Sequence, residues 1–255
     1  MSLEDFAEEL HSARIARTTV ATITSRWPYF STSDAYAVQT HGIKRRISAG
    51  ESIVGGKLGF TSQAMQRAMG VSSPNYGWLT DAMLRTHEIR LADLIHPKVE
   101  PEIAFTLSAD LDDKSATAAD VLAATRSVAA CLEVVDSRYH GFSFLPNDNI
   151  ADNSSAGHVV LGEAADSSTA DLKLVGVVVS VDDRVVHTAA GAAALGDPAA
   201  AVAWMARTVA GSLRPLRAGD IVISGGLTAP VDVSVGQRVC VQIDRVGTCS
   251  LEVKE

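Results

Sequence analysis

Four acidic and basic residues in this chain stand where their types and spacing could do chemistry. In His96-Pro97-Lys98-Val99-Glu100-Pro101-Glu102-Ile103-Ala104-Phe105, two glutamates sit two positions apart in a run that reads as a strand. Side chains alternate along a strand, so Glu100 and Glu102 share one face, and Ile103, Phe105 and Leu107 share the other. Two neighbouring carboxylates repel unless a cation or a proton lies between them, and carboxylate oxygens suit a hard ion such as Mg²⁺ or Mn²⁺. A solvated acidic face is the plainer reading of the pair alone. Glu133 adds a third acid, set in the apolar run Cys131-Leu132-Glu133-Val134-Val135, where an unpaired charge is costly. It could join the first two around a cation, or pair with an arginine such as Arg138. Lys57 is the lone charge in Ile53-Val54-Gly55-Gly56-Lys57-Leu58-Gly59-Phe60. Among glycines that allow close backbone approach, a lysine can steady an enolate oxygen or move a proton, or it can simply reach the surface.

Helices and strands must position these groups. Ser2 with Asp5 reads as a capping box opening a first helix, and a second is expected from about Ser33, with Gly50 beyond its end. A helix from Ser62 to Met69 stops at Gly70. Thr117 and Asp120 suggest another capping box, with a helix through Ala130, and Asp197-Pro198 opens one that ends before Gly211. Strands are expected at Glu100 to Leu107, Leu132 to Val135, Val159 to Gly162, Leu172 to Val181, Ile221 to Ser224 and Val231 to Ile243. The last is broken by a turn at Gly236-Gln237. Few helices lie between the strands, so a doubly wound parallel sheet is not expected and the class is α+β with a β-rich second half.

Composition narrows the function. The chain has 255 residues, 47% hydrophobic and 20% charged, with a net charge of −8. That acidity, with no Lys/Arg cluster beyond Lys44-Arg45-Arg46 on a helical face, excludes a nucleic-acid surface. Three cysteines, Cys131, Cys240 and Cys249, form no framework and point to a reducing compartment. The acidic Met1–Asp5 start lacks a signal-peptide pattern, and the alanine-rich 192–206 stretch is broken by Asp197-Pro198, so no membrane span and a cytoplasmic location are expected. The seven histidines show no metal-ligand spacing, and no Ser-His-Asp arrangement or nucleophile elbow is present. The loop Ala151-Asp152-Asn153-Ser154-Ser155 could offer hydroxyls to a carboxylate. Gly225-Gly226-Leu227-Thr228 has no helix pattern behind it and is not a phosphate loop.

Taken in order, these segments resemble one family. Gly56-Lys57-Leu58-Gly59-Phe60-Thr61-Ser62, Met69-Gly70-Val71 and Pro74-Asn75-Tyr76-Gly77 are similar to motifs of 2-keto-4-pentenoate hydratases and 4-oxalocrotonate decarboxylases, within the fumarylacetoacetate hydrolase superfamily. Pro97 to Ile103, Glu133 to Arg138, Ala151 to Ser155 and Arg217 to Ile221 match in the same order. The resemblance implies a β-rich, fumarylacetoacetate-hydrolase-like rolled mixed sheet over residues 81–255, with an accessory helical N-terminal region over 1–80. It implies Mg²⁺ or Mn²⁺ held by Glu100, Glu102 and Glu133, with Lys57 as catalytic residue and Ser155, Leu58 and Thr228 as substrate contacts. A small 2-oxo acid substrate, a homo-oligomer and a complex with the hydratase of an aromatic meta-cleavage pathway are implied with it.

Within the family, Asn75 stands where hydratases carry an acid, and an amide is neither general acid nor base. Leu94 to Lys98, Asp136 to Tyr139 and Gly225 to Ala229 resemble the decarboxylase versions. The expectation is a lyase that decarboxylates 2-oxo-3-hexenedioate (4-oxalocrotonate) to 2-hydroxypenta-2,4-dienoate. The alternatives are hydration of that dienoate, C–C hydrolysis of an acylpyruvate, and a non-catalytic supporting subunit. Pro101 departs from the small residue usual there.

Overall fold

The computed structural model describes residues 1–166 and 170–255. Three helices come first: α1 (Leu3–Ala16), α2 (Ile23–Arg26) and α3 (Thr32–Ser48). Ser2 and Asp5 form the expected capping box on α1, and Ser31 with Asp34 forms a second on α3. Phe6, Ala7 and Leu10 of α1 and Ala35 and Val38 of α3 make a small core of their own with Ile150, Ala151 and Tyr139. Of the basic run on α3, Arg46 is not on a solvated face. It is buried against Glu51 and Thr80, whose oxygens offset part of the desolvation of its charge.

The chain then enters the sheets with β1 (Ile53–Gly59), α4 (Gln63–Met69), β2 (Asn75–Thr80), β3 (Leu84–Arg85), β4 (Glu88–Arg90) and β5 (Lys98–Leu107). Next come α5 (Ala118–Ala124), β6 (Thr125–Val135), α6 (Pro146–Ala151), β7 (Ala156–Leu161), β8 (Ala165–Asp166), β9 (Gly176–Val181) and β10 (Arg184–Ala190). The last elements are α7 (Pro198–Val209), β11 (Ile221–Ile223), β12 (Val231–Asp232), β13 (Arg238–Ile243) and β14 (Gly247–Lys254). One mixed sheet runs β2-β1-β11-β5-β6-β7-β3, with β12 beside β5 and β8 beside β6; the other runs β10-β9-β13-β14-β4. The class is the expected α+β with a curled mixed sheet. The main core lies between the sheets and α7, with Val99, Ile103, Phe105 and Leu107 from β5 in one cluster with Val179, Val241 and Leu251. Within the first 80 residues the helical layer ends at Ser48, and both β1 and β2 belong to the large sheet.

Two boundaries differ from expectation for a physical reason. The helix opened by Thr117 ends at Ala124 rather than Ala130, and residues 125–130 begin β6. Pairing with β5 along ten register positions outweighs the helix preference of Ala129 and Ala130. Leu172 to Val175 precede β9 as a turn, although Leu172 and Val175 still fill the core. Pro101 sits in the middle of β5 beside Leu132. On its other side β5 passes from β12 to β11, and the Gly225–Ala229 loop fills that gap, with Leu227 donating to the Pro101 carbonyl at 2.9 Å. A proline is tolerated where no neighbouring strand asks for its N–H.

Candidate metal and substrate site

The long ladder between β5 and β6 puts Glu100 directly opposite Glu133, and Glu102 opposite Cys131. All three carboxylates therefore stand on the face turned away from the main core, with one oxygen of each within 4.8 Å of the others. Glu102 and Glu133 are wholly buried. Glu100 reaches the wall of a cavity of about 250 Å³. β1 lies two strands from β5, across β11, and points Lys57 at the group: its Nζ is 3.0 Å from Glu133 Oε2. The same ammonium donates to the Ser154 carbonyl at 2.9 Å and to Ser154 Oγ at 3.3 Å. Glu133 thus pairs with Lys57, and Arg138 is engaged elsewhere, with Asp152.

Electrostatics follow from this packing. Burial pushes the Glu100 carboxyl up to about 7, with Lys57 pulling it back and Glu133 adding to the rise. Burial raises Glu102 further, with Glu133 contributing. Glu133 is also raised by burial, against the pull of Lys57. Burial alone would lower Lys57, but Glu133, Glu100 and Glu102 outweigh it and hold the ammonium above its ordinary value. Glu102 Oε2 accepts from the Gly225 N–H at 2.7 Å, yet Glu102 Oε1 and Glu133 Oε1 have no donor. Orphaned carboxylate oxygens in a buried site are costly. Several that converge without a donor fit a divalent cation bound through oxygen.

The cavity brings the remaining expected residues to the same place. Leu58, Ser155 and Thr228 line it, together with Phe60, Phe142, Phe144, Asn149 and Lys98. Ser154 and Ser155 are held on a tight turn in which Asn153, Ser154 and Ser155 have φ of 51°, 53° and 56°. Left-handed backbone costs on the order of 1 kcal/mol per non-glycine residue, so surrounding bonds must impose it. Asn153 clamps the turn to β2 through both Trp78 backbone groups, at 2.8 and 2.9 Å. Asp152, just before it, is fixed by the Arg138 guanidinium and main chain. From α3, Gln39 donates to Tyr76 O and Ile150 O, so the helical layer braces the segment that carries the turn.

A directed chain of hydrogen bonds leaves Lys57. Ser154 Oγ accepts from Lys57 and donates to Asn75 Oδ1 at 3.0 Å. Asn75 Nδ2 donates to Asn149 Oδ1 at 2.7 Å, and Asn149 Nδ2 donates to Ser155 Oγ at 3.0 Å. The Ser155 proton is thereby left to point elsewhere, and its oxygen lines the cavity. A side chain at Gly59 would meet Asn75 Oδ1 at 2.3 Å and Ser154 Oγ at 2.5 Å, so this relay needs glycine beside it. Asn149 escaped the sequence reading: its signal is only an amide on a short helix, and its partners come from β2 and the following turn.

Comparison with known proteins gives this arrangement a family. The family model for the fumarylacetoacetate hydrolase C-terminal region matches residues 63–254. The chain belongs to the fumarylacetoacetate hydrolase family. It is 40% identical to a 2-keto-4-pentenoate hydratase of Paraburkholderia xenovorans, over 98% of this chain and 94% of the relative. It is 36% identical to a 4-oxalocrotonate decarboxylase of a Pseudomonas species, over 97% and 94%. Among solved structures it is similar to the 4-oxalocrotonate decarboxylase of Pseudomonas putida G7 complexed with magnesium and adipate. That match has a TM-score of 0.94 and 35% identity, over 98% of this chain and 97% of the other. Among the described residues no helix is long and apolar enough to cross a membrane.

Proposed function

We propose that this chain is a divalent-metal-dependent lyase that decarboxylates 2-oxo-3-hexenedioate to 2-hydroxypenta-2,4-dienoate, within aromatic meta-cleavage catabolism. The observation that carries this choice is the state of the cavity's titratable groups. Among the described residues that line it, the ionisable side chains are Lys57, Lys98 and Glu100, and no histidine is present. Asn75 is engaged at both ends of its amide, by Ser154 and Asn149, and has no proton to exchange. Water addition needs a base to activate water. Loss of CO₂ needs none; it needs an electron sink and a proton donor at the far end of the conjugated chain.

Glu100, Glu102 and Glu133 would hold Mg²⁺ or Mn²⁺, which supplies Lewis acidity toward a carboxylate and a 2-oxo oxygen. The protein's own groups do the rest. Ser155, with its lone pair occupied by Asn149, offers its hydroxyl proton to the substrate's C1 carboxylate. The C5–C6 bond breaks, its electrons form the C4–C5 double bond, the existing double bond moves to C2–C3, and a pair settles on the C2 oxygen. Lys57, protonated because three carboxylates surround it, stabilises that oxygen and can donate the proton that completes the dienol. Phe60, Phe142 and Phe144 give the cavity an apolar wall beside the substrate's carbon chain.

The second reading is the hydratase one: hydratase relatives range from 35% to 43% identity, and the decarboxylases stand at 36%. A proton NMR time course with Mg²⁺ separates the two. Consumption of 2-oxo-3-hexenedioate with accumulating 2-hydroxypenta-2,4-dienoate supports decarboxylation. An untouched dicarboxylate, with the dienoate converted to 4-hydroxy-2-oxopentanoate, establishes the hydratase instead.

A further inference from the structure

A decarboxylase of this kind must recognise a second carboxylate that a hydratase substrate lacks, and the cavity rim carries a cation held only by an exposed surface pair. We propose that Lys98 is the specificity-determining residue that binds the distal carboxylate of a six-carbon 2-oxo diacid and discriminates it from the matching monoacid. The inference deepens the decarboxylase reading and rests on it for the presence of that second carboxylate.

Position comes first. Lys98, Glu100 and Glu102 occupy alternate places on β5, so their side chains leave the same face of the strand. Depth falls along that face: Glu102 is wholly buried, Glu100 is half-buried at the cavity wall, and the Lys98 side chain is 34% exposed at the rim. Two residues of strand span about 6.7 Å. An extended six-carbon diacid separates its carboxyl carbons by about 6 Å on ordinary bond lengths. A substrate with its 2-oxo end at the glutamates and its chain running along β5 toward the rim is long enough to reach the position of Lys98.

Availability comes second. Among the described residues lining the cavity, Lys57 and Lys98 are the only cations. Lys57 is committed below, to Glu133 and Ser154. Arg138 is buried against Asp152 and three main-chain carbonyls and does not line the cavity. Among the described residues Lys98 pairs only with Asp232, at 2.9 Å, and that carboxylate is 85% exposed. Such a surface pair is weak and readily exchanged for an anion that is itself held in place. The Phe142 ring, 5.7 Å from the Lys98 nitrogen, keeps the ammonium over the cavity mouth.

The test is a calorimetric titration of the Mg²⁺-loaded protein with two unreactive probes of equal length, 2-oxoadipate and 2-oxohexanoate. The wild type is expected to bind the diacid roughly tenfold more tightly than the monoacid, Lys98→Met to erase that preference with monoacid binding unchanged, and Lys98→Arg to keep it. A Lys98→Met protein that still prefers the diacid, or a wild type with no preference, overturns the assignment. The outcome is separate from the reaction. If the wild type prefers the diacid and Lys98→Met does not, yet the wild type leaves 2-oxo-3-hexenedioate intact, decarboxylation fails and the role of Lys98 stands. If Lys98→Met decarboxylates with an unchanged KM, the role of Lys98 fails and decarboxylation stands.

Discussion

The Arg138–Asp152 pair and the Lys57–glutamate cluster are both buried, and they are built on opposite principles. Asp152 is wholly buried, but Arg138 meets it through both side chain and main chain, and Ser137 adds a third donor. The guanidinium also donates to the carbonyls of Asp136, Asp152 and Ala156. Every charge there is matched, and the group fixes the turn that carries Ser154 and Ser155. The glutamate cluster has three carboxylates against one ammonium, and two of its buried oxygens have no donor. A satisfied buried ion pair organises structure; an unsatisfied one is kept for something that binds.

The contrast is tested most severely by removing one charge from each group. Glu102→Gln keeps an acceptor for the Gly225 N–H and is expected to lower turnover by about a thousandfold or more, with an unaltered circular dichroism spectrum. Its metal-free melting temperature should hold or rise, because one repelling carboxylate is gone. Arg138→Ala should do the reverse to stability, costing about 3–5 kcal/mol in denaturant titration because Asp152 is left buried without its counter-charge. Pairing Arg138→Met with Asp152→Leu should recover part of that stability. No apolar pair should restore activity to the glutamate cluster.

A gentler probe is pH. The Glu100 carboxyl lies at about 7 and Asp152 at about 6, both raised above ordinary values by burial. A raised carboxyl binds its proton more tightly folded than unfolded. Metal-free protein should therefore gain stability as pH falls from 8 to 6, with a melting temperature higher by roughly a few degrees. Saturating Mg²⁺ should flatten or reverse that slope, since it requires the ionised glutamates. A metal-free melting temperature that instead drops steadily over this range would break the assignment of raised carboxyl groups.

Much of the glutamate half of this comparison was legible in the sequence. The period-two alternation of β5 placed Glu100 and Glu102 on one face and Ile103, Phe105 and Leu107 on the other, as found. Glu133 stood out because a charge in an apolar strand needs a reason. Its partner was not legible: Lys57 arrives from β1 through a parallel pairing with β11, a contact with no local trace. Arg138, considered as a partner for Glu133, turns instead to Asp152, fourteen positions on. The start of β6 read as helix because its alanines favour helix, and only its neighbours in the sheet decide otherwise. β14 did carry a readable signal that was passed over: Cys249, Leu251 and Val253 are buried and alternate with more exposed residues. The Asn75–Asn149–Ser155 relay joins three separate segments and could be seen only once they were folded together.

The most direct measurement of the central claim is a titration of metal-free protein with Mn²⁺, followed by electron paramagnetic resonance, for the wild type and Glu102→Gln. The account predicts one tightly bound ion per chain in the wild type and a large loss of affinity in the variant at unchanged fold. Equal Mn²⁺ uptake by both proteins, or none by the wild type, would contradict it.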